Sequence, residues 1–234
     1  NYSGNNWQCG AGIAYWLQQN GMKPGDTVVT LYGDNGTVCK YREEGFRDFL
    51  KGNIDYSDKA TGESYHTTEV WTDAQLDPVF NTYSVVCNWS ADGAYDYLEQ
   101  KLDEIVAKAD TNLYIYSMDD EMTFGMLNLI EGSSLSAATK AKLETLNVYI
   151  SAIGGMQELY DVMSGKAEQA KVANQYFDDM MSVYFSPSMM KSVIDKMVDF
   201  LGGNWTYKNG DVDTEPVWIV NRQNVNQYEG FLGH

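Results

Sequence analysis

The sequence predicts an α/β fold in which a parallel β-sheet is flanked by helices on both faces. Short apolar segments alternate regularly with longer segments in which apolar residues recur at helical spacing. The apolar segments are hydrophobic throughout, which is typical of strands that are buried on both faces. The connections between them are short, as in right-handed β-α-β units. Together these observations favour a covered parallel sheet.

The first part of the chain supplies this alternation in order. Residues 7–19 form the first predicted helix, which carries its apolar residues on one side and ends at Asn20-Gly21. Strands are recognised by β-branched and aromatic residues, and helices by amphipathic spacing. The predicted strands that follow cover residues 26–33, 65–72, 82–89, 112–117 and 147–153. The predicted helices between and after them cover residues 40–50, 92–109, 120–132 and 156–165.

Beyond residue 165 the alternation becomes irregular. A weak helix or loop covers residues 166–181, a strand covers residues 182–187, and an amphipathic helix covers residues 186–203. A turn-rich loop then leads into a last predicted strand over residues 217–222.

Composition excludes several classes of function. The chain has 16 Lys and Arg against 33 Asp and Glu, a net charge of −17, which argues against nucleic acid or an anionic membrane surface as partner. No apolar run reaches the roughly 18 residues of a membrane span. The three cysteines (Cys9, Cys39 and Cys87) match no metal-ligand spacing, and two histidines poorly supply a zinc site or a catalytic triad. We therefore expect no metal and no cofactor.

Polar clusters follow four of the predicted strands at their carboxyl ends. They are Gly33-Asp-Asn-Gly36, Asn88-Trp-Ser90, Asp119-Asp-Glu121 and Gly154-Gly155. Open parallel sheets bind their ligands at this edge, where the loops into the following helices converge. The sequence therefore predicts a binding site at the carboxyl edge of the sheet.

Four segments resemble, in the same order, stretches of the type I periplasmic sugar-binding proteins, the ribose- and galactose-binding receptors of ABC transporters. They are "GDNGTVCKYREEGFRDFL", "CNWSADGAYDYLEQKL", "YSMDDEMTFGMLNLIEG" and "VYISAIGGMQELYDVMSG". The resemblance implies a periplasmic-binding-protein-like I fold of which this chain holds one lobe plus C-terminal crossover elements. Residues 1–165 would form the second lobe. Residues 166–234 would form a crossover segment, a helix and a terminal strand that return, in the family, to a first lobe.

The resemblance also assigns site residues. Arg42 stands where the family keeps an arginine that grips sugar hydroxyls, and Trp89 where it stacks an aromatic ring on the sugar. Asp119 stands where the family has an asparagine that bonds hydroxyls, and an ionised aspartate accepts only. Asn88 adjoins Trp89 at the same strand end and completes this polar group.

One position departs from the family pattern. The family's aspartate in "FDG" aligns with Ile153, so an acceptor for the sugar is lost there. The backbone of Gly154 can still approach a ligand closely. Which sugar is bound is therefore left open.

Each assignment has a plainer alternative. Asp119 and Asp120 open a helix, where acids interact favourably with the helix dipole without any ligand. Arg42 could pair with Glu43 or Glu44 on the surface, and Trp89 could be ordinary core. A metal bound by the three acids is disfavoured because adjacent residues point in different directions.

The resemblance implies a non-enzymatic, extracytoplasmic component of an ABC transporter, in the periplasm or at the cell surface with or without a lipid anchor. It would bind a monosaccharide or related polyol between two lobes and deliver it to a membrane permease. Two alternatives are an effector domain of a LacI-type transcription regulator, which shares this fold, and a Mg-dependent hydrolase on a flavodoxin-like sheet. We further expect Cys39 and Cys87 to lie near each other at the rim of the cleft, where a disulfide can form if their α-carbons are within about 7 Å.

The helix near the C-terminus predicts self-association. Its apolar stripe comprises Met190, Val193, Ile194, Met197, Phe200 and Leu201. In the family this helix packs on the first lobe, so here we expect the stripe to fold back onto the sheet or to be covered by a second copy of the chain.

Overall fold

A computed structural model describes residues 2–185, 189–206 and 213–232. Its main sheet has six strands in the order β10-β8-β7-β6-β2-β5, all parallel except β10, which runs antiparallel to β8. The strands are β1 (Tyr2–Ser3), β2 (Thr27–Tyr32), β3 (Tyr56–Ser57), β4 (Ser64–Tyr65), β5 (Tyr83–Val86), β6 (Asn112–Ser117), β7 (Asn147–Gly154), β8 (Asp179–Tyr184), β9 (Asp213–Thr214) and β10 (Ile219–Asn221).

The helices are α1 (Asn6–Gln19), α2 (Thr37–Leu50), α3 (Asp73–Asn81), α4 (Ala91–Lys108), α5 (Asp120–Glu131), α6 (Ala137–Leu143), α7 (Gln157–Met163), α8 (Ala170–Tyr176) and α9 (Met189–Leu201). Two packed pairs, α1 with α2 and α4 with α5, flank the sheet. On the α1–α2 side, Phe46 stacks on Tyr116 of β6, and the edge of Phe80 from α3 closes the cluster. The predicted α/β class, with a mainly parallel sheet between helices, is confirmed.

The strand predicted over residues 65–72 is wrong. Only Ser64–Tyr65 is extended, and it pairs with β3 in a separate two-stranded sheet. The backbone beyond it bonds to helix ends instead of to a strand, because Thr68 N donates to Gln18 Oε1 and Trp71 N donates to Leu50 O. Two short helices, α3 and α6, were not predicted.

The C-terminal segment joins the same sheet as the rest of the chain. β8 begins at Asp179, a few residues earlier than the predicted strand, and pairs in parallel with β7. β10 then adds an antiparallel edge. The predicted division of the chain at residue 165 stays a prediction, and the sheet extends across it.

The apolar stripe of α9 does not fold back onto the sheet. Its side chains Ile194, Met197, Val198, Phe200 and Leu201 are 51% to 80% exposed. One of the two predicted ways of covering the stripe is therefore wrong, and covering by a second copy stays a prediction. Met190 lies among the side chains outside the described ones.

The cysteines form no disulfide. Cys9, Cys39 and Cys87 are all free and buried. Cys39 Sγ accepts a hydrogen bond from Asp34 N at 3.4 Å, and Cys87 Sγ lies 4.0 Å from Val85 O. The disulfide envisaged between Cys39 and Cys87 is therefore absent, because each sulfur packs against its own local backbone. Burial raises the pKa of the Cys87 thiol to about 12, which keeps it protonated and unreactive.

Candidate functional site

The carboxyl ends of the parallel strands meet at one edge of the sheet, and Arg42 of α2 is held beneath that edge. Its side chain is 3% exposed. Nε donates to Asn6 Oδ1 at 3.0 Å, and Nη1 donates to the carbonyl oxygen of Met118 just after β6. These bonds join α1, α2 and the end of β6. The alternative of a surface pair with Glu43 or Glu44 is wrong, because Arg42 is buried and donates to Asn6 and Met118, and Glu43 pairs with Arg47 at 2.8 Å.

The Arg42 guanidinium also contacts two aromatic rings. It lies 5.6 Å from the centroid of the Trp89 ring and 5.1 Å from that of Phe185. Such cation–π contacts are stronger when the cation is withdrawn from water, as it is here. Arg42 therefore supports the Trp89 ring from the protein side.

Trp89 is fixed by the turn that follows β5. Asn88 and Trp89 both adopt the left-handed backbone region, with φ of 55° and 57°, and Trp89 N donates to Gly33 O at 3.2 Å. The indole packs directly on Gly33, where a Cβ atom would lie 2.1 Å from the ring. Trp89 Nε1 donates to Asp34 Oδ2 at 3.0 Å. The ring is thus held in place, while the Asn88 side chain is exposed.

Asp119 caps the helix α5. Its Oδ1 atom accepts a hydrogen bond from Glu121 N at 2.9 Å, and its backbone carbonyl accepts one from Ser117 Oγ at 2.6 Å. Burial, and then repulsion from the Asp120 carboxylate, raise the pKa of Asp119 to about 7. The capping role is therefore real, but it uses only one of the two carboxylate oxygens.

Asp120 has a role that the sequence reasoning missed. Its carboxylate is fully buried and accepts hydrogen bonds from Gly155 N at 2.6 Å, Met156 N at 2.8 Å and Ser182 Oγ at 2.7 Å. Burial raises its pKa although these bonds favour the charged form. Asp120 therefore ties the loop after β7, and strand β8, to the start of α5. A capping role had been the expected one.

Gly154 lies against Asp120 at the end of β7. A Cβ atom at this position would come within 2.7 Å of Asp120 Oδ2, so only glycine fits. The neighbouring Ile153 side chain is fully buried in the core, and it cannot replace the family's acceptor.

These residues border a depression of about 370 Å³. Its lining residues are Trp89, Ser90, Asp119, Asp120, Glu121, Gly154, Met156 and Phe231. Three of the five predicted residues, Trp89, Asp119 and Gly154, thus come together. Within the described part of the chain, Arg42 and Asn88 are not on this lining, although Arg42 contacts Trp89 from behind. The role of all five in ligand binding stays a prediction.

Phe231 and Met156 were missed because they are brought together by the fold alone. They form an isolated parallel bridge between distant parts of the chain. Phe185 could have been found, since it is an aromatic residue directly after the strand β8, at the predicted edge.

Among the described residues there is no group of three or more His, Cys, Asp or Glu side chains arranged to hold a metal ion. Within the same residues, no helix is both long enough and apolar enough to cross a membrane.

No protein-family model and no curated protein sequence matches the chain. Solved structures do match. The arabinose-transporter periplasmic binding protein from Shewanella sp. ANA-3 superposes with a TM-score of 0.60 at 14% identity, over 97% of this chain and 60% of that one. A carbohydrate-transporter solute-binding protein from Chloroflexus aurantiacus, in complex with D-glucose, gives a TM-score of 0.60 at 16% identity, over 97% and 66%. The chain has the fold of these sugar-binding proteins.

A further match, a periplasmic solute-binding protein from Actinobacillus succinogenes 130z with bound D-allose, has a TM-score of 0.57 at 15% identity. It covers 96% of this chain and 63% of its own. The chain therefore spans less than two thirds of the length of the proteins whose sugar-binding fold it shares.

Proposed function

We propose that this chain is the sugar-binding lobe of an extracytoplasmic solute-binding protein of an ABC transporter. The observation that carries the proposal is the depression at the carboxyl edge, where an aromatic ring (Trp89) and a carboxylate (Asp119) line one concave surface. A saturated sugar ring offers a C–H face to an aromatic ring and hydroxyl donors to a carboxylate. Arg42 holds the Trp89 ring in place from behind.

The ligand is bound and released unchanged. We propose this because the described edge offers no nucleophile with an adjacent base, and because the similar structures are binding proteins. Residues 1–165 supply most of the ligand-binding lobe, and residues 166–234, which add Phe231 to its lining, connect it to the remainder of the protein. A membrane permease receives the sugar, and the protein works outside the cytoplasm, either secreted or held by a lipid anchor.

The neighbouring structures hold different small polar ligands. Those named with them are arabinofuranose, D-glucose, D-allose and glycerol. A monosaccharide or related polyol is therefore the ligand class that we assign to this chain. The regulator and hydrolase alternatives are not favoured, since these neighbours are sugar-binding components of transporters.

The proposal also includes an interaction surface, the apolar face of α9 formed by Ile194, Met197, Val198, Phe200 and Leu201. Five apolar side chains more than half exposed on one helix are unusual for a surface that stays in water. We assign a second copy of this chain as the cover for that face.

The test is ligand binding by the chain and by a matched pair of variants. A panel of aldoses is titrated into ¹⁵N-labelled protein, and the Trp89 indole N–H and the amides of residues 119–121 are followed. Trp89→Ala should weaken binding at least about tenfold, because the aromatic wall is removed. The control Trp7→Ala removes an exposed indole outside the depression and should bind as the wild type does. Because this chain holds one of the two proposed lobes, we expect weak binding, and each titration runs to high sugar concentration. If no sugar shifts the depression signals even there, the proposed binding by this lobe is wrong.

A further inference from the structure

The N–H donors around the depression are largely used within the protein. Trp89 Nε1 donates to Asp34, and the amides of Gly155 and Met156 both donate to Asp120. On the lining, the Ser90 hydroxyl accepts a hydrogen bond from Asp92 N at 3.1 Å and can still donate one of its own. A ligand therefore meets few free donors here.

The main-chain acceptors of the same loop are used as well. Gly154 O accepts from Phe185 N at 2.7 Å, and Gly155 O accepts from Phe231 N at 2.9 Å. Phe231 O accepts from Gln157 N at 2.8 Å. Because the Ile153 side chain carries no polar atom, it does not replace the family's aspartate as an acceptor at the end of β7.

Two carboxylates keep capacity for a ligand. Asp119 accepts one bond at Oδ1, and its other oxygen has no hydrogen-bond partner in the described part of the chain. Glu121 lines the depression one helical position beyond Asp120, and its carboxylate likewise has no partner within those residues. Asp120 is different, since its oxygens are occupied by three donors. The free polar groups are thus mainly acceptors, and they carry negative charge.

We propose that the ligand of this site is an amino sugar, whose protonated amino group pairs with Asp119 and Glu121 beside the Trp89 ring. The inference rests on the proposed function and deepens it. An ammonium group has three donors and no acceptor, which complements two free carboxylates. The C–H face of the ring suits the aromatic wall, and a cation next to an indole gains a further attraction.

Other ligand charges fit this lining less well. An acidic sugar would place its carboxylate beside Asp119 and Glu121, where like charges repel. A neutral sugar offers hydroxyl donors to the carboxylates, but it also carries several acceptor oxygens. The lining has few free N–H or O–H donors to pair with those oxygens. The raised pKa of Asp119 also favours a cationic ligand. Burial and the Asp120 carboxylate disfavour the ionised form of Asp119, and a bound cation would stabilise that form.

The experiment compares three probes that share one ring: glucosamine, glucose and N-acetylglucosamine. Each is titrated at neutral pH into ¹⁵N,¹³C-labelled protein, and affinity is read from the Trp89 indole and the residue 119–121 amides. The Asp119 carboxyl carbon gives the pKa of that group in the same samples. We expect glucosamine to bind at least about tenfold more tightly than either neutral sugar, and to lower the Asp119 pKa.

Two variants, each of which replaces one aspartate by asparagine, complete the design. Asp119→Asn keeps the cap, since asparagine is an equally good N-cap residue. It should remove most of the preference for glucosamine. Asp96→Asn, on the exposed surface of α4, should keep that preference.

The outcomes separate the two proposals. If glucose shifts the depression signals as strongly as glucosamine does, the amino-sugar inference is overturned while the proposed sugar-binding function stands. If glucosamine binds but Asp96→Asn lowers its affinity as much as Asp119→Asn does, the attraction is a general charge effect and the inference again fails. If none of the three probes shifts these signals while another aldose of the panel does, the amino-sugar inference is overturned and the sugar-binding function stands. If no aldose shifts them either, the sugar-binding function itself is contradicted.

Discussion

The helices α5 and α9 have similar lengths, 12 and 13 residues, and both are rich in apolar side chains, but most of those of α5 are buried and most of those of α9 are exposed. α5 begins at the site, is capped by Asp119, and buries most of its side chains between the sheet and α4. Contacts within the described residues join α9 to the segment that follows it. Ser192 Oγ donates to Glu215 at 3.3 Å, and Phe200 meets the edge of Trp205. Its apolar side chains face water.

The difference shows what a hydrophobic period does and does not specify. The period predicts that a helix forms and which face is apolar, but not which surface covers that face. The apolar face of α5 packs on the chain's own sheet, and its N-terminus, capped by Asp119, lies at the proposed binding edge. In α9 the cover has to come from outside the described residues.

Leucine truncation should separate the two helices most strongly. Leu127 of α5 is fully buried, and Leu127→Ala should lower the free energy of unfolding by about 3–4 kcal/mol through lost burial and a residual cavity. Leu201 of α9 is 80% exposed, and Leu201→Ala should change it by less than about 0.5 kcal/mol. Urea denaturation measures both. Equal losses would mean that α9 is packed in solution as firmly as α5.

Replacing one aspartate on each helix gives a second comparison of α5 with α9. Asp120→Ala removes the acceptor of three buried donors, and we expect a loss of about 3 kcal/mol, with faster hydrogen exchange at Gly155 and Met156. Asp195→Ala on α9 breaks an exposed pair with Lys191 and should cost under about 0.5 kcal/mol. Unchanged exchange at residues 155–156 would refute the locking role of Asp120.

How far sequence reasoning reached can be judged from these same residues. The strands and long helices were predictable because β2, β6 and β7 are continuously apolar and α2, α4 and α5 are clearly amphipathic. Trp89 and Asp119 could be found because each lies shortly after the end of a strand, β5 and β6 respectively. Asp120 was misjudged because its partners are separated from it by 35 to 62 residues, and no local pattern records them. Phe231 was missed for the same reason.

The acid that caps α5 should make stability depend on pH. Asp119 has a model-peptide pKa of 3.8 and a folded pKa of about 7, so the folded state holds the extra proton between these values. Stability therefore falls as pH rises through this interval, and the full penalty persists above about pH 7. Asp119→Asn should remove the penalty and raise the free energy of unfolding by about 1–3 kcal/mol at neutral pH, with no gain below about pH 4.

Asp120, Asp179 and Glu215 also have raised pKa values, so the pH slope should shrink in this variant without vanishing. Denaturation curves from acid to neutral pH provide the measurement. If the free energy of unfolding of Asp119→Asn depends on pH as steeply as that of the wild type, the pKa of Asp119 is not raised by folding.

The smallest effect concerns the cover of α9. A helix of 13 residues is about 20 Å long, so its apolar stripe offers less than the roughly 800 Å² per partner of a standard stable interface. We therefore expect weak self-association, which appears in light scattering as a mass that rises with concentration. Replacing Phe200 with Gln and Leu201 with Lys together should abolish the rise, because charged and polar groups would be buried at the contact. Leu232→Lys is the matched control: Leu232 is 76% exposed but lies off α9, so this change should leave the rise intact. A constant monomer mass at high concentration would contradict the second copy as the cover for this face, and an equal loss in both variants would place the contact elsewhere.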